Sequence, residues 1–441
     1  MDLYQGLIDH IQTQSDQHAG KIVILPSSFQ GSPRALQQNF QDAMAIVGKF
    51  GKPDIFLTFT CNRKHPDIVA NLPAGQKIEH RPDVVARVFK QHLTELLIDI
   101  TESHVLGMVV AYVYVIEFQK RGLPHCHLLL ILSHESKLRV PEDIDKIINA
   151  EIPSANTEPH LYEVIRSCMV HGPCEGLNPK SVCMSDGTCS KDYPKTFRAE
   201  TSMRMDAYPM SRWRDNGTTM KVGQYEVDNR WIVPYSPYFS EKFAAHINVE
   251  ACTTVKSVKY LFKYIYKGHD CATLEMNANA FDHDEVTNHL DARYLSAPEA
   301  CWRLFEYELH RHSHTIIRLP VHLPEQQMVY FREGQEQNAV ANAATKNTML
   351  TAFFKLNSLH PTAIRYTDLP NTYVWNSSKS QWQPRKRDGE KVIARMYFVN
   401  PNKMELYCLR LLLLSIPSPT KYEDLRTVHG VIEPTFRDAC L

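Results

Sequence analysis

His125 and His127 stand two residues apart in the run PHCHLLLIL, a stretch rich in residues that favour β-strands. On a strand, side chains alternate between faces, so the two imidazoles project together while Cys126 points the other way. The preceding run YVYVIEF, from Tyr112, is also strand-forming. The link through Arg121, Gly122, Leu123 and Pro124 carries turn residues, so the whole reads as a hairpin. Folding it at Gly122 brings Glu117 or Gln119 opposite the histidines, and Glu117 is the choice for a third ligand. Two imidazoles and one carboxylate suit Mg²⁺ or Mn²⁺ with positions left open for substrate oxygens. The same pair also fits an ordinary polar cross-strand contact or a zinc hydrolase. A hydrolase would need further His or Asp ligands at hydrolase spacing, which the sequence does not offer.

A second group of ligand-type residues lies in CMVHGPCEGLNPKSVCMSDGTC, from Cys168 to Cys189. The stretch is rich in Gly, Pro and Ser and has little apolar material for a core. A structural Zn²⁺ held by His171, Cys174, Cys183 and Cys189 explains it, with Cys168 as the substitute ligand. Free thiols in a loop are the alternative. Downstream, Arg198–Arg214 mixes Arg204, Arg212 and Arg214 with Tyr208 and Trp213. Cations interleaved with rings suit single-stranded DNA, with Arg212 and Arg214 as phosphate contacts; a solvated loop fits equally.

The third group is TVKSVKYLFKYIYK, Thr254–Lys267. On a helix, Val255, Val258, Leu261, Phe262 and Ile265 gather on one face. Tyr260 and Tyr264 fall on the opposite face, one turn apart, flanked by Lys256, Lys263 and Lys267. A phenol with a pKa of about 10 is a weak nucleophile, but nearby ammonium groups favour the phenolate and also bind a DNA backbone. A surface helix with tyrosines and lysines is the bland reading, and the metal hairpin tips the balance against it.

The elements that must position these groups follow in order. Asp2–His18 and Ser32–Phe50 read as helices, the second with Leu36, Phe40, Met44, Ile46 and Val47 near helical period. Asp54–Thr60, DIFLTFT, reads as a buried strand that places Thr58 and Thr60 as neighbours of the histidines. Pro82–Ile100 forms an amphipathic helix with Val85, Val88, Phe89, Leu93, Leu96 and Leu97 on one side. In FAAHINVE, His246, Asn248 and Glu250 alternate onto one strand face. A further helix is expected over Glu299–His314, and residues 326–345 read as a linker.

These signals predict an α+β fold: an antiparallel sheet with flanking helices carrying the His-x-His strand, a zinc-binding insertion and a small C-terminal α+β lobe. The expected parts are an N-terminal segment with the metal hairpin over 1–150, the zinc-binding, basic and aromatic insertion over 160–215, the tyrosine-helix part over 216–325, and a C-terminal lobe over 326–441. At 441 residues, 43% hydrophobic and 22% charged, the chain has the composition of a globular protein, not a disordered one. Lys+Arg and Asp+Glu balance at 49 each, so any nucleic-acid surface must come from local clustering. No signal peptide or membrane span is read, and eleven cysteines in an odd set favour a reducing compartment.

The wording EFQKRGLPHCH resembles the metal motif of the His-hydrophobic-His nucleases that start rolling-circle replication, and is close to that of Helitron transposases. GKPDIFLTFTCN resembles the family's first motif, though NRKHPDI departs from the usual Pro-Lys-Trp. Tyr260, Lys263, Tyr264 and Lys267 match the family's Tyr-x-x-Lys-Tyr-x-x-Lys, and RLPVHLP and RMYFVNP extend the resemblance along the chain. Cys126 replaces a bulky aliphatic on the side facing away from the metal.

The resemblance implies a nuclear enzyme that nicks single-stranded DNA, holds one end as a 5′-phosphotyrosine and transfers it, the two tyrosines letting one enzyme cut one strand and cut or join another. Helitron transposases continue into a helicase, whereas G-x-x-x-x-G-K-[ST] does not occur here. The expectation is therefore a chain without ATPase activity: a nuclease half, a truncated copy or part of a longer protein, with a separate helicase as a conceivable partner. The rival is a transposon relic retaining only DNA or partner binding.

Overall fold

The computed structural model describes residues 25–118, 122–203, 209–252, 295–327, 329, 345–360, 363–386 and 391–441. They divide into two compact units, Met1–Gln41 with Lys52–Arg311, and Asp42–Gly51 with His312–Leu441. The chain is mixed α+β.

The first unit is built on a five-stranded sheet of β1 (Ile55–Thr60), β2 (Val109–Phe118), β3 (Pro124–Leu132), β4 (His246–Ala251) and β5 (His310–His312), in the order β4-β1-β3-β2-β5. The β1–β3, β1–β4 and β2–β3 pairs are antiparallel. Alternation divides the strands between two environments. Ile55, Leu57, Phe59, Tyr114, Ile116, Cys126, Leu128, Leu130, Ile247 and Val249 all enter one core. The helices Pro82–Thr101 and Pro237–Phe243 close over it with Val85, Phe89, Leu93, Leu96, Phe239 and Phe243.

Sequence explains why Pro82–Thr101 is a helix here. Pro82 opens its first turn, where a missing N–H costs nothing, and Asp83 sits at the positive end of the dipole. Arg81 clamps Asp83 through two 2.8 Å hydrogen bonds. Its buried stripe is Val84, Val85, Ala86, Phe89, His92, Leu93, Leu96, Asp99 and Ile100, so two polar residues, His92 and Asp99, face inward. Burying a side chain such as Phe89 stabilises by about 1.5–3 kcal/mol, which makes this stripe the helix's main anchor.

The helix expected over Glu299–His314 is shorter than that. It runs Ala297–Leu304, capped by the Ser296 hydroxyl, and stops where Glu306 takes a left-handed φ of +56°. Trp302 then holds the returning chain by donating from Nε1 to the Glu308 carbonyl at 3.3 Å. The β-branched run Thr315–Ile317 continues as strand, because such residues fit a pleated surface better than a helix.

Within the same unit, residues of the insertion gather around a separate small core of Met169, Cys174, Cys189, Tyr193, Trp231, Ile232 and Tyr235.

The second unit pairs β6 (Thr315–Leu319) with β7 (Val392–Met396) in parallel, and its helices Met349–Leu359 and Met404–Ser415 contribute Phe353, Leu409 and Leu413 to its core. Asp42 is buried there between Arg395 at 2.6 Å and Arg318 at 2.7 Å. Among the described residues, no helix is long and apolar enough to cross a membrane.

Candidate functional site

The sheet face turned away from the helical core carries the residues expected to ligate a metal. In the β2–β3 register Glu117 is the direct partner of His125, and Val115 the partner of His127. In the β1–β3 register Thr60 faces His125 and Thr58 faces His127. In the β1–β4 register His246, Asn248 and Glu250 line up with Thr60, Thr58 and Phe56. Strand alternation therefore places three histidines, two carboxylates and two hydroxyls on one surface.

Each histidine is held by a neighbour. Thr60 Oγ1 lies 2.7 Å from His125 Nδ1, and Thr58 Oγ1 lies 3.3 Å from His127 Nδ1. The rings of His125 and His127 meet edge to face at 4.5 Å, and Phe56 stacks on His127 at 5.6 Å. His127 Nε2 stands 3.4 Å from Glu117 Oε2. His246 Nδ1 is 2.8 Å from the Cys168 carbonyl; a carbonyl only accepts, so Nδ1 carries the proton and Nε2 presents a lone pair.

Burial, with the nearby His127 and His246, pushes His125 well below the ordinary histidine range. Burial likewise lowers His246, against the hydrogen bond to Cys168. Both are therefore neutral imidazoles, the form that ligates metals. The donor set of one carboxylate and neutral imidazoles fits a divalent cation with open positions. The ligand atoms of Glu117, His125 and His127 do not all converge within 4.8 Å; among the described residues two other groups do.

Thr58, His125, His127, His246, Asn248 and Glu250 of this face line a cleft of about 670 Å³, while Glu117 and Thr60 are not among its lining residues. His171, Lys191, Asp192, Tyr193, Lys195, Met210 and Trp213 also line it.

Residues 1–130 match the family described as Helitron helicase-like domain at N-terminus. Over this part the chain is similar to that family. The matched stretch contains Thr58, Thr60, Glu117, His125 and His127, while His246 and the insertion lie beyond it. No curated protein matches the chain.

One of the two convergent groups is His171, Cys174, Cys183 and Cys189, the quartet expected for zinc, with all four ligand atoms within 4.8 Å. Cys189 Sγ sits 3.3 Å from His171 Nε2. Burial and the neighbouring Cys189 and Cys183 thiols push Cys174 up. Burial would raise Cys189 too, but backbone hydrogen bonds from Tyr193 and Lys191, with the adjoining thiols, hold it down. Gly172 is fixed by this packing: its φ is +84°, and a Cβ there would meet the Cys174 backbone nitrogen at 2.7 Å. Cys168 stands apart, its Sγ 3.8 Å from the Ala244 carbonyl.

The basic segment is engaged with carboxylates. Arg212 donates to Asp145 at 3.0 Å, and Arg214 grips the buried Glu151 with two 2.6 Å bonds. Neither arginine lines the cleft, whereas Trp213 between them does. Burial alone would raise Glu151; the Arg214 hydrogen bonds, with the charges of Arg214 and Arg212, outweigh it and hold the carboxyl below its usual range. Tyr260, Tyr264, Lys256, Lys263 and Lys267 lie outside the described residues, as do Gln119, Arg204 and Tyr208.

Sequence reasoning did not single out His65 and His92, which join Asp67 in the second convergent group. The available signal was a histidine inside the apolar stripe of the helix Pro82–Thr101.

Proposed function

We propose that this chain is a metal-dependent nicking and strand-transfer endonuclease of rolling-circle transposition, acting on single-stranded DNA in the nucleus. The observation that carries the reading is the register that makes Glu117 the partner of His125 and sets His127 on the same face, with both histidines lining a cleft. The Helitron-related match over 1–130 supports it independently.

In this reading Glu117, His125 and His127 hold Mg²⁺ or Mn²⁺, and His246 Nε2 offers a further donor at the edge. When bound, the ion supplies charge stabilisation to a phosphodiester oxygen. Thr58 and Thr60 orient the imidazoles from behind, the role that outer partners of metal ligands play elsewhere. Lys191 and Lys195, which line the same cleft, attract the DNA backbone, partly offset by Asp192 and Glu250 there. Tyr193 and Trp213 also line the cleft, largely buried, with Tyr193 stacked on His171. Lys256, Lys263 and Lys267 bind the backbone near the nucleophiles.

Tyr260 or Tyr264 attacks phosphorus through its phenolic oxygen. The bond to the 3′ oxygen breaks, that oxygen takes up a proton, and the products are a 5′-phosphotyrosine and a free 3′-OH. The second tyrosine permits a second cleavage or joining. Zn²⁺ in the His171–Cys189 quartet shapes the insertion, and the strap that follows Cys189 carries Lys191, Tyr193 and Lys195 into the cleft wall.

The test is Mn²⁺ binding by calorimetry alongside nicking of labelled single-stranded oligonucleotides. His125→Ala/His127→Ala should abolish both while leaving the zinc content intact. Nicking that persists in this variant would remove the metal face from the reaction. The alternative, a relic that only binds DNA, predicts salt-sensitive DNA binding and no nicking by the unaltered chain.

A further inference from the structure

The segment that follows β1 carries a second constellation with no part in the chemistry above. His65 precedes the short helix Pro66–Ala70, Asp67 lies in that helix's first turn, and His92 sits on the helix Pro82–Thr101. One ligand atom from each lies within 4.8 Å of the others. His92 Nε2 is 2.8 Å from Asp67 Oδ2, His65 Nδ1 is 3.6 Å from that same oxygen, and the two rings meet edge to face at 4.4 Å.

We infer that His65, Asp67 and His92 form a binding site for a first-row divalent cation, for which Zn²⁺ serves as the probe. Ligands about 2.0–2.1 Å from a tetrahedral ion stand about 3.3–3.4 Å apart, and the separations of 2.8 Å and 3.6 Å from Asp67 bracket that edge. Small side-chain shifts suffice to seat the ion. Both imidazoles are buried, with side chains only 10% exposed, while Asp67 is 56% exposed, so an ion has a preformed back wall and an entrance from solvent. Two imidazoles and one carboxylate leave a fourth position for water.

The site would tie the segment after β1 to the principal helix over the sheet core. The His92 ring packs 5.8 Å from Phe243, a member of that core. Ion binding there would therefore stiffen the helical layer behind β1, whose other face carries Thr58 and Thr60. The competing description is a metal-free arrangement in which His92 pairs with Asp67 and His65 Nδ1 caps the short helix by accepting from the Asp67 N–H at 3.2 Å.

His65→Asn separates the two, because asparagine keeps a capping acceptor but loses the imidazole. Asp67→Ala, at a half-exposed position, is the second variant and keeps the helix packing. Purified full chain is saturated with Zn²⁺, dialysed against metal-free buffer and its zinc counted by mass spectrometry, with circular dichroism to verify folding. Each variant should carry about one equivalent less than the unaltered chain. The same drop in a His125→Ala/His127→Ala background shows that the lost ion is not bound on the sheet face, whatever the fate of the nuclease reading. Equal zinc content in the unaltered chain and both folded variants overturns the inference.

Discussion

Thr60 Oγ1 lies 2.7 Å from His125 Nδ1, across a ladder in which the two residues are direct partners. With Nδ1 occupied, Nε2 is the nitrogen left to face the cleft, so a strand hydroxyl sets how the metal-motif imidazole is presented.

Thr60→Val removes this hydrogen bond while keeping shape and strand preference. Metal affinity of the sheet face should fall about 10- to 100-fold, with melting temperature little changed. Calorimetry with Mn²⁺ reads the outcome, and unchanged affinity would mean that the hydroxyl does not orient the ring.

Cys174→Ser or Cys183→Ser should abolish the zinc binding proposed for the quartet and loosen the small core that Cys174 and Cys189 share with Met169 and Trp231. Cys168→Ser should leave the zinc content as it was, because its sulfur lies apart from the quartet. Zinc analysis with protease sensitivity of the insertion checks both. Loss of zinc on Cys168 replacement would reassign the ligand set.

Glu151 has a carboxyl held below its usual range, so its folded state binds fewer protons than the unfolded chain in acid. Its stabilising contribution is fully present above the unfolded glutamate value of about 4.3 and is lost as pH falls through the lower folded value. Glu151→Gln should cost about 1–3 kcal/mol at neutral pH, since Arg214 is half-exposed and partly screened. It should also flatten the acid limb. Urea midpoints between pH 3 and pH 7 give the comparison.

Asp42→Asn removes the carboxylate shared by Arg395 and Arg318 in the second unit. Because Asp42 and Arg395 are both buried, the cost should be about 3 kcal/mol or more, seen as earlier unfolding of that unit. A change below about 0.5 kcal/mol would show that the pair contributes little there.

The placement of the sheet-face residues was legible because it depends on short-range patterns. A period of two puts His125 and His127 on one side, and a turn at Gly122 brings Glu117 across. The zinc-type quartet was legible from residue type alone, since four soft ligands in a Gly- and Pro-rich stretch have few other uses. What the sequence hides is long-range pairing. Arg212 and Arg214 read as phosphate contacts, and nothing local reveals that Asp145 and Glu151, separated by 67 and 63 positions, would engage them. His92 reads as one polar residue in an apolar stripe until Asp67, 25 positions away, is placed beside it. The helix expected through His314 fails for a local reason, the left-handed residue Glu306 followed by a run of β-formers.

The most direct measurement is a covalent-capture assay. The full chain is incubated with labelled single-stranded oligonucleotides of varied sequence, with Mn²⁺ or with EDTA, and resolved on denaturing gels, with the adduct mapped by peptide mass spectrometry. The account predicts a metal-dependent protein–DNA band on Tyr260 or Tyr264, lost in Tyr260→Phe/Tyr264→Phe. A band that survives in that double variant, or none with any oligonucleotide while salt-sensitive binding persists, would contradict it.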